Sequence, residues 1–342
     1  MEIPTIKAKK EIAQKIIKEI KEEGNFNTDY KIKRDKDHIF IPIKDIKKTN
    51  QEIVYLKDLE KQKKIGLNLK EILLKDKIDI SKVPSSYDIV GDIIILKIED
   101  KAFLEKNKEL IGKALTKIHP HIKVILNKKK EHHGEFRTQD LDYVYGEKRK
   151  ETTIKENNCI LKTDVEKVFF STRLVTERKR ISKQVKKNEV VGVFFAGAGP
   201  FAIEIEKLSS PKEIVAIELN PVGVKYLLKN IKLNKMDNKI KVIEGDVEEV
   251  SKRYKNYFNR ICMPLPKSAE TFLDQAIFSI KNKGIVHLYS FESKNEPYKR
   301  IKKILIEKEE KNNCKIKIKE KKIVRSFSAT TVQIVLDLEI IF

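Results

Sequence analysis

The second half of the chain alternates short apolar runs with amphipathic segments. Apolar runs predict strands at 190–195, 214–219, 240–244, 259–263 and 284–290. Segments with helical spacing lie between them and predict helices at about 199–208, 221–235, 267–281 and 296–312. This alternation gives a parallel sheet covered by helices. The last two strand patterns, 314–327 and 330–342, have no helix between them, so one strand must run antiparallel to its neighbour.

The pattern before residue 166 is less regular and indicates two small α+β domains. One helical pattern stops at Gly24, and another covers about 101–118. Strand patterns lie at 37–44, at 87–98 around a glycine turn, at 122–129, and at 159–172, where a second strand-like part follows the first. We therefore predict domains at 1–66, 69–165 and 166–342, with the first boundary near residues 66–69.

The charge balance of the chain points to a polyanionic partner. The 342 residues include 73 Lys and Arg against 51 Asp and Glu, a net charge of +22. Such an excess favours binding to nucleic acid. A heat-adapted surface, which is also rich in Lys and Glu, would give a similar composition.

The cysteines and histidines predict neither a disulfide framework nor a metal site. Cys159, Cys262 and Cys314 are far apart, which is typical of a reducing compartment. The nearest histidine groupings, 119–121 and 132–133, lack a third ligand at metal spacing. There is no apolar run of membrane length and no signal-peptide pattern. We expect a cytoplasmic protein without a metal or a membrane partner.

A glycine turn follows the first predicted strand of the alternating region. Gly197 and Gly199 form the pattern G-x-G-x-x-A, and Glu218 ends the next strand, 21 residues after Gly197. A carboxylate there suits the ribose diol of NAD or of S-adenosylmethionine. Pro200 removes an N–H that a pyrophosphate would use, which favours S-adenosylmethionine. A turn required only for packing would leave a similar pattern.

The other strand ends carry residues of the same kind. Leu219 follows Glu218, Asp246 and Val247 follow the third strand, and Pro264 lies after the fourth, in "ICMPLPK". Ligands of such folds bind at the carboxyl edge of the sheet, where these positions meet. Asp246 could accept a hydrogen bond from the adenine amino group, and the fourth strand end is where methyl transfer would occur.

Several ordered motifs resemble the archaeal and eukaryotic tRNA guanine-37 methyltransferases of the Rossmann type. They are "FAGAGPF", "AIELNP", "NIKLNK", "GDVEEV" and "PLPK", with "SYDIVGDIIILKI", "GEFRTQDL" and "VFFSTRLVTERKRI" upstream. The resemblance covers about residues 80–342. The first 65 residues match only in size and position, and in that family they contact the outer corner of tRNA. The implied fold is a Rossmann-like methyltransferase domain, preceded by two small α+β domains.

The resemblance implies transfer of a methyl group from S-adenosylmethionine to position 37 of the anticodon loop. It implies that Glu177 is the general base and that Arg137 stabilises the charge that develops on the guanine. This suits the chemistry, because guanine N1 must lose a proton while O6 gains negative charge. Glu177 could instead form a surface ion pair, and Arg137 could contact a phosphate. The implied cofactor positions are Arg178, Phe195, Gly197, Gly199, Glu218, Leu219, Asp246, Val247 and Pro264.

Two residues depart from the family pattern. Val193 stands where an acid is usual, and Pro264 stands where members that methylate N1 commonly have Asn. One archaeal branch with changes at this motif methylates carbon 7 of the tricyclic wyosine precursor at the same tRNA position. The acceptor atom therefore stays open between guanosine N1 and that carbon. Pro264 favours the wyosine branch and hence an archaeal source.

Two other classes of function compete with this interpretation. A methyltransferase for a small molecule or a protein would use the cofactor motifs but not the positive charge. An RNA-binding protein with a degenerate methyltransferase fold would explain Val193 and Pro264. We expect a monomeric tRNA methyltransferase.

Overall fold

The computed structural model describes residues 2–61, 68–129, 134–265 and 267–342. The chain divides into two compact units, Met1–Ile72 and Leu73–Phe342. The predicted boundary near residues 66–69 falls partly on 62–67, which lie outside the described residues. The further division of the longer unit at residue 165 stays a prediction.

The first unit is a four-stranded antiparallel sheet with one long helix. Its elements are β1 (Ile3–Lys9), α1 (Lys10–Glu22), β2 (Lys33–Arg34), β3 (His38–Pro42) and β4 (Ile53–Leu56). The strands lie in the order β2-β3-β1-β4. One face of α1 buries Ala13, Ile16 and Ile20 in a core that also contains Ile6 and Ile41. The α+β character predicted for this part of the chain is confirmed, although β1, β2 and β4 were not predicted.

The second unit begins with a smaller sheet and a hairpin. Its first elements are α2 (Leu69–Lys75, which begins in the first unit), β5 (Asp88–Val90), β6 (Ile93–Leu96), α3 (Lys101–Ile118), β7 (Val124–Lys128), β8 (Leu141–Gly146), β9 (Glu151–Glu156) and β10 (Cys159–Asp164). The sheet order is β5-β6-β7-β8, and β9 pairs with β10. The strand-like segment predicted after residue 164 is wrong. The Asp164 side chain accepts hydrogen bonds from two following backbone N–H groups and forms a turn instead.

The remaining residues form a seven-stranded sheet with helices. Its elements are α4 (Val175–Gln184), β11 (Val190–Phe194), α5 (Pro200–Ser209), β12 (Glu213–Glu218), α6 (Pro221–Leu233), β13 (Ile240–Glu244), α7 (Val247–Val250), β14 (Phe258–Met263), α8 (Leu273–Ser279), β15 (Ile280–Ser293), α9 (Lys299–Asn312), β16 (Lys315–Ser326) and β17 (Thr331–Ile341). Short 3-10 helices cover Ile46–Lys48, Ile80–Lys82, Thr172–Leu174, Ser251–Arg253 and Ala269–Phe272. The sheet order is β13-β12-β11-β14-β15-β17-β16.

The directions of these strands match the predicted sheet. The strands β11 to β15 run parallel to one another, and β17 runs antiparallel to both β15 and β16. Val191 and Val193 pack into one core, while Val190 and Phe194 pack into another. The strand β11 is therefore buried on both faces, which leaves its end for ligand binding.

Candidate active site

The glycine turn after β11 contains two glycines with different constraints. Both have positive φ angles, +57° at Gly197 and +85° at Gly199. A Cβ on Gly199 would lie 2.1 Å from Cδ1 of the buried Leu227. At Gly197 the nearest atom to such a Cβ is the Phe169 carbonyl oxygen, at 3.6 Å. Packing therefore requires glycine at 199, whereas Gly197 faces open space at the sheet edge.

Glu218, at the end of β12, is held by this turn. Its Oε2 accepts a hydrogen bond from the Gly197 N–H at 2.6 Å, and its Oε1 accepts one from the Asn220 N–H at 2.7 Å. Burial raises the pKa of Glu218, and these hydrogen bonds oppose the shift. A carboxylate has about four acceptor positions, so the two oxygens can still receive the two hydroxyl groups of a ribose.

Apart from Arg178, which lies on α4, the remaining predicted cofactor positions lie at the same edge. They follow β11, β12, β13 and β14, which are neighbours in the sheet. Asp246 accepts a hydrogen bond from the Glu248 N–H at 2.8 Å, and Val247 is buried. The Phe195 ring lies 4.9 Å from that of Phe272. Leu219 and Pro264 are half-buried. Pro266, the second proline of the predicted bend, lies outside the described residues.

Glu177, on α4, is a buried carboxylate with fixed partners. Only 3% of the residue is exposed. Arg180 donates to Oε1 through Nη2 at 2.7 Å, and its Nε contacts both oxygens at 3.0 Å. The Tyr289 hydroxyl donates to Oε1 at 2.9 Å. Glu177 therefore does form an ion pair, with Arg180, but the pair is buried and not on the surface as the alternative interpretation expected. Oε2 has the Arg180 Nε as its donor and can accept a further proton.

Behind Glu177, a chain of buried charged groups crosses three adjacent strands. Arg180 donates to Asp337 at 2.7 Å, and the Nδ1 of His287 lies 2.7 Å from the same carboxylate. Arg260 contacts the Nε2 of His287 at 2.7 Å and Glu189 at 2.8 Å. Burial lowers the pKa of His287. A neutral ring fits both contacts, with Nδ1–H donating to Asp337 and Nε2 accepting from Arg260.

Sequence reasoning missed this chain of charged groups. Its members are far apart in sequence and meet in the sheet, because Arg260 pairs with Ile285, two residues before His287, and His287 pairs with Asp337. The available signal was a charged residue inside each of three strand patterns, in "NRICM", "IVHLY" and "VLDLE". Charges inside buried strands are normally paired.

Arg178 is also buried, but its hydrogen bonds go to other elements of the protein. Its Nε donates to Glu204 at 2.9 Å, its Nη2 to Glu156 at 2.6 Å and its Nη1 to the Ser171 carbonyl at 3.0 Å. Burial raises the pKa of Glu204 to about 8, and a hydrogen bond with Glu156 contributes. Arg178 thus connects β9 and α5 to the segment that enters α4.

Arg137 lies on the turn between β7 and β8 and has a positive φ of +53°. Among the described residues, its guanidinium has no hydrogen-bond or ion-pair partner. Burial lowers the pKa of Arg137. Gln139, two residues on, donates to the Val165 carbonyl at 2.7 Å and ties the turn to the segment that follows β10. Arg137 is therefore a cation with no compensating charge in the described part of the chain, and its place in the active site stays a prediction.

The described residues include no group of three side chains that could hold a metal ion. His132 and His133 lie outside the described residues. None of the described helices is both long and apolar enough to cross a membrane.

This strand order, with a glycine turn after β11 and acids after β12 and β13, defines an S-adenosylmethionine-dependent methyltransferase fold. The TRM5/TYW2 methyltransferase domain model matches residues 152–318. The models of the TYW2 N-terminal domain and the tRNA methyltransferase 5 N-terminal domain match residues 68–149 and 5–49.

Known relatives cover most of the chain. The tRNA (guanine(37)-N(1))-methyltransferase Trm5b of Methanocaldococcus jannaschii is 38% identical over 93% of each chain. The tRNA (guanine(37)-N(1))/4-demethylwyosine(37)-methyltransferase Taw22 of Nanoarchaeum equitans is 35% identical, over 64% of this chain and 88% of the relative. A solved complex of aTrm5 with tRNALeu is 35% identical, with a TM-score of 0.70 over 98% of this chain and 99% of that one. The chain belongs to the TRM5/TYW2 methyltransferase family, which confirms the resemblance in its motifs.

Proposed function

We propose that this protein methylates position 37 of the tRNA anticodon loop with S-adenosylmethionine as the methyl donor. The observation that carries the proposal is Glu218, which the glycine turn holds at the sheet edge with acceptor positions to spare. Family membership supports both the cofactor and the tRNA substrate. We also propose that the enzyme is a cytoplasmic monomer of archaeal origin; sedimentation equilibrium would test the monomer.

The residues at the sheet edge suit S-adenosylmethionine. Glu218 would accept hydrogen bonds from the ribose hydroxyls, and Asp246 one from the adenine amino group. The N-terminus of α5, beside Gly197 and Gly199, would attract the methionine carboxylate. The cofactor supplies an electrophilic methyl group on a sulfonium centre. Apolar walls would come from the remaining predicted positions, Phe195, Leu219, Val247 and Pro264.

We propose that Glu177 is the general base and that Arg137 stabilises charge on the acceptor base. The Oε2 of Glu177 can accept the proton that leaves guanine N1. Arg180 and Tyr289 hold the carboxylate in one orientation, so little reorganisation accompanies the proton transfer. The guanidinium of Arg137 would face the charge that develops on O6. Arg178 would act indirectly, because it holds Ser171 at the entry to α4.

We place guanosine N1 first as the acceptor atom. The relative named for N1 methylation matches 93% of this chain, whereas the relative that also acts on 4-demethylwyosine matches 64%. From Pro264 alone, the sequence favoured the wyosine branch; the greater coverage of the relative named for N1 methylation reverses that order. Carbon 7 of the wyosine precursor is the second candidate, because Pro264 offers no side-chain amide to the base.

Calorimetric titration with S-adenosylmethionine tests the cofactor site. We expect binding to the unaltered protein and a loss of at least about tenfold in affinity for Glu218→Gln, which keeps the shape but weakens the acceptor. Glu213→Gln, at the opposite end of β12, is the matched control and should bind normally. A degenerate fold would not bind the cofactor at all.

A further inference from the structure

An aromatic pair lies at the carboxyl edge of the sheet, beyond the predicted cofactor residues. Phe291 is near the end of β15 and Phe327 directly follows β16; their ring centroids are 4.3 Å apart at an angle of 41°. Since β17 is antiparallel to both strands, β15 and β16 end at the same edge as β11. Phe327 nevertheless exposes 54% of its surface. A large aromatic ring exposed at a ligand-binding edge suggests an interaction surface.

An arginine lies beside this pair. The guanidinium carbon of Arg325 lies 5.5 Å from the Phe327 ring centroid, and its Nε donates to Gln333 at 2.8 Å. Burial lowers the pKa of Arg325, the positive charge of Arg173 lowers it further, and the negative charge of Asp88 partly opposes the shift. Within the described residues, no carboxylate is at ion-pair distance from Arg325. The patch therefore favours an anionic ligand with a flat apolar part.

The patch extends toward the proposed general base. Arg173 forms an ion pair with Asp88 at 2.5 Å and precedes Glu177 by four residues, about one helical turn. The neighbouring residues Ile89 and Thr172 line a cavity of about 730 Å³ whose wall also includes Lys155. The same wall carries the carboxylates of Asp92 and Glu151, so positive and negative side chains alternate along this part of the unit.

We propose that Phe327, supported by Phe291 and Arg325, is a stacking platform for an unpaired nucleotide next to the one that is methylated. This rests on the proposed function. When a target base is turned out of its stack, its neighbours lose stacking partners. An exposed aromatic ring beside arginine supplies such a partner in many proteins that bind single-stranded nucleic acid. The flanking arginines and the net charge of +22 favour RNA over an apolar protein partner.

The test uses full-length tRNA with 2-aminopurine at position 36 or 38, whose fluorescence falls on stacking. Phe327→Leu keeps an apolar side chain but removes the aromatic face. We expect its affinity for tRNA to fall about fivefold or more, with loss of quenching at one of the two positions. Phe327→Tyr should behave as the unaltered protein does. Phe278→Leu, at an exposed phenylalanine on α8, is the matched control.

The outcomes of this experiment distinguish a failure of the stacking proposal from a failure of the proposed function. Unchanged affinity and quenching in a folded Phe327→Leu variant would overturn the platform, even if position 37 is methylated. Loss of quenching in that variant would support the platform, even if the unaltered protein transferred no methyl group. If Phe327→Leu does not fold, Arg325→Gln provides the same comparison. It should weaken tRNA binding and flatten its salt dependence, and unchanged binding would overturn the proposal.

Discussion

Replacing each glycine of the turn by alanine should separate cofactor binding from folding. In Gly197→Ala, the new Cβ meets no protein atom within 3.4 Å and points into space that we assign to the cofactor. In Gly199→Ala, the new Cβ collides with Leu227, whose side chain is fully buried. The first variant should lose cofactor affinity and the second should lose stability.

The magnitudes follow from the backbone angles and the contacts. A left-handed residue with a Cβ costs about 1–2 kcal/mol, so Gly197→Ala should lower the free energy of unfolding by about that amount. Gly199→Ala adds overpacking of about 1–3 kcal/mol, for a total of about 2–5 kcal/mol. Gly24→Ala is the matched control, because Gly24 has a φ of +66° and a Cβ there would have no neighbour within 4 Å.

Urea unfolding and calorimetric titration with S-adenosylmethionine measure the two effects separately. Gly197→Ala should bind the cofactor at least about tenfold more weakly, the equivalent of about 1.4 kcal/mol. Gly24→Ala should bind it normally. Normal cofactor binding by Gly197→Ala would refute the assignment of this space to the ligand.

Three further outcomes are expected. Glu177→Gln should slow single-turnover methyl transfer by about 10²-fold or more while S-adenosylmethionine still binds. Glu320→Gln, which removes the exposed one of Arg180's three carboxylate partners, should leave the rate unchanged, and equal rates in both variants would contradict a general base at Glu177. Burial opposes ionisation of Asp337, but hydrogen bonds from His287 and Arg180 lower its pKa far below the ordinary value of about 4. The ionised Asp337 therefore stabilises the fold above about pH 4, and this contribution is lost as pH falls below that value. Asp337→Asn should lower the free energy of unfolding in urea by about 3 kcal/mol at pH 7, and by less as pH falls toward 3. A loss that stays constant with pH would argue against a stabilising Asp337 carboxylate. The affinity for tRNA should fall about tenfold between about 0.1 and 0.3 M salt if three or more phosphates are contacted, and a flat series would exclude that.

Local signals were sufficient for most of the large sheet. The strands β11, β12 and β14 appear within one residue of their predicted ends, because apolar runs stop at glycine, acid or proline. The predicted helix at 267–281 is shorter in the structure, since the chain enters β15 at Ile280. In the first unit, β1 was missed because it contains Pro4, and proline within a short apolar run argues against a strand.

The candidate site also contains residues that the sequence could place and contacts that it could not. The strand-end residues were accessible to sequence reasoning, because a parallel sheet brings consecutive strand ends to one edge. The partners of Glu177 were only partly accessible. Arg180 is three residues away on the same helix, but Tyr289 is 112 residues away and Asp337 contacts Arg180 across 157 residues. Such pairings depend on strand order, which no local pattern specifies.

Methyl transfer to two tRNAs that differ only at position 37 is the most direct test of the function. One tRNA carries unmodified guanosine and the other carries the tricyclic wyosine precursor; tritiated S-adenosylmethionine supplies the label, and mass spectrometry identifies the product. We predict label on guanosine N1. Label on the tricyclic base alone would assign the protein to the wyosine branch, and label on both would mean a bifunctional enzyme. A protein that binds the cofactor but labels neither tRNA would contradict the assignment to position 37.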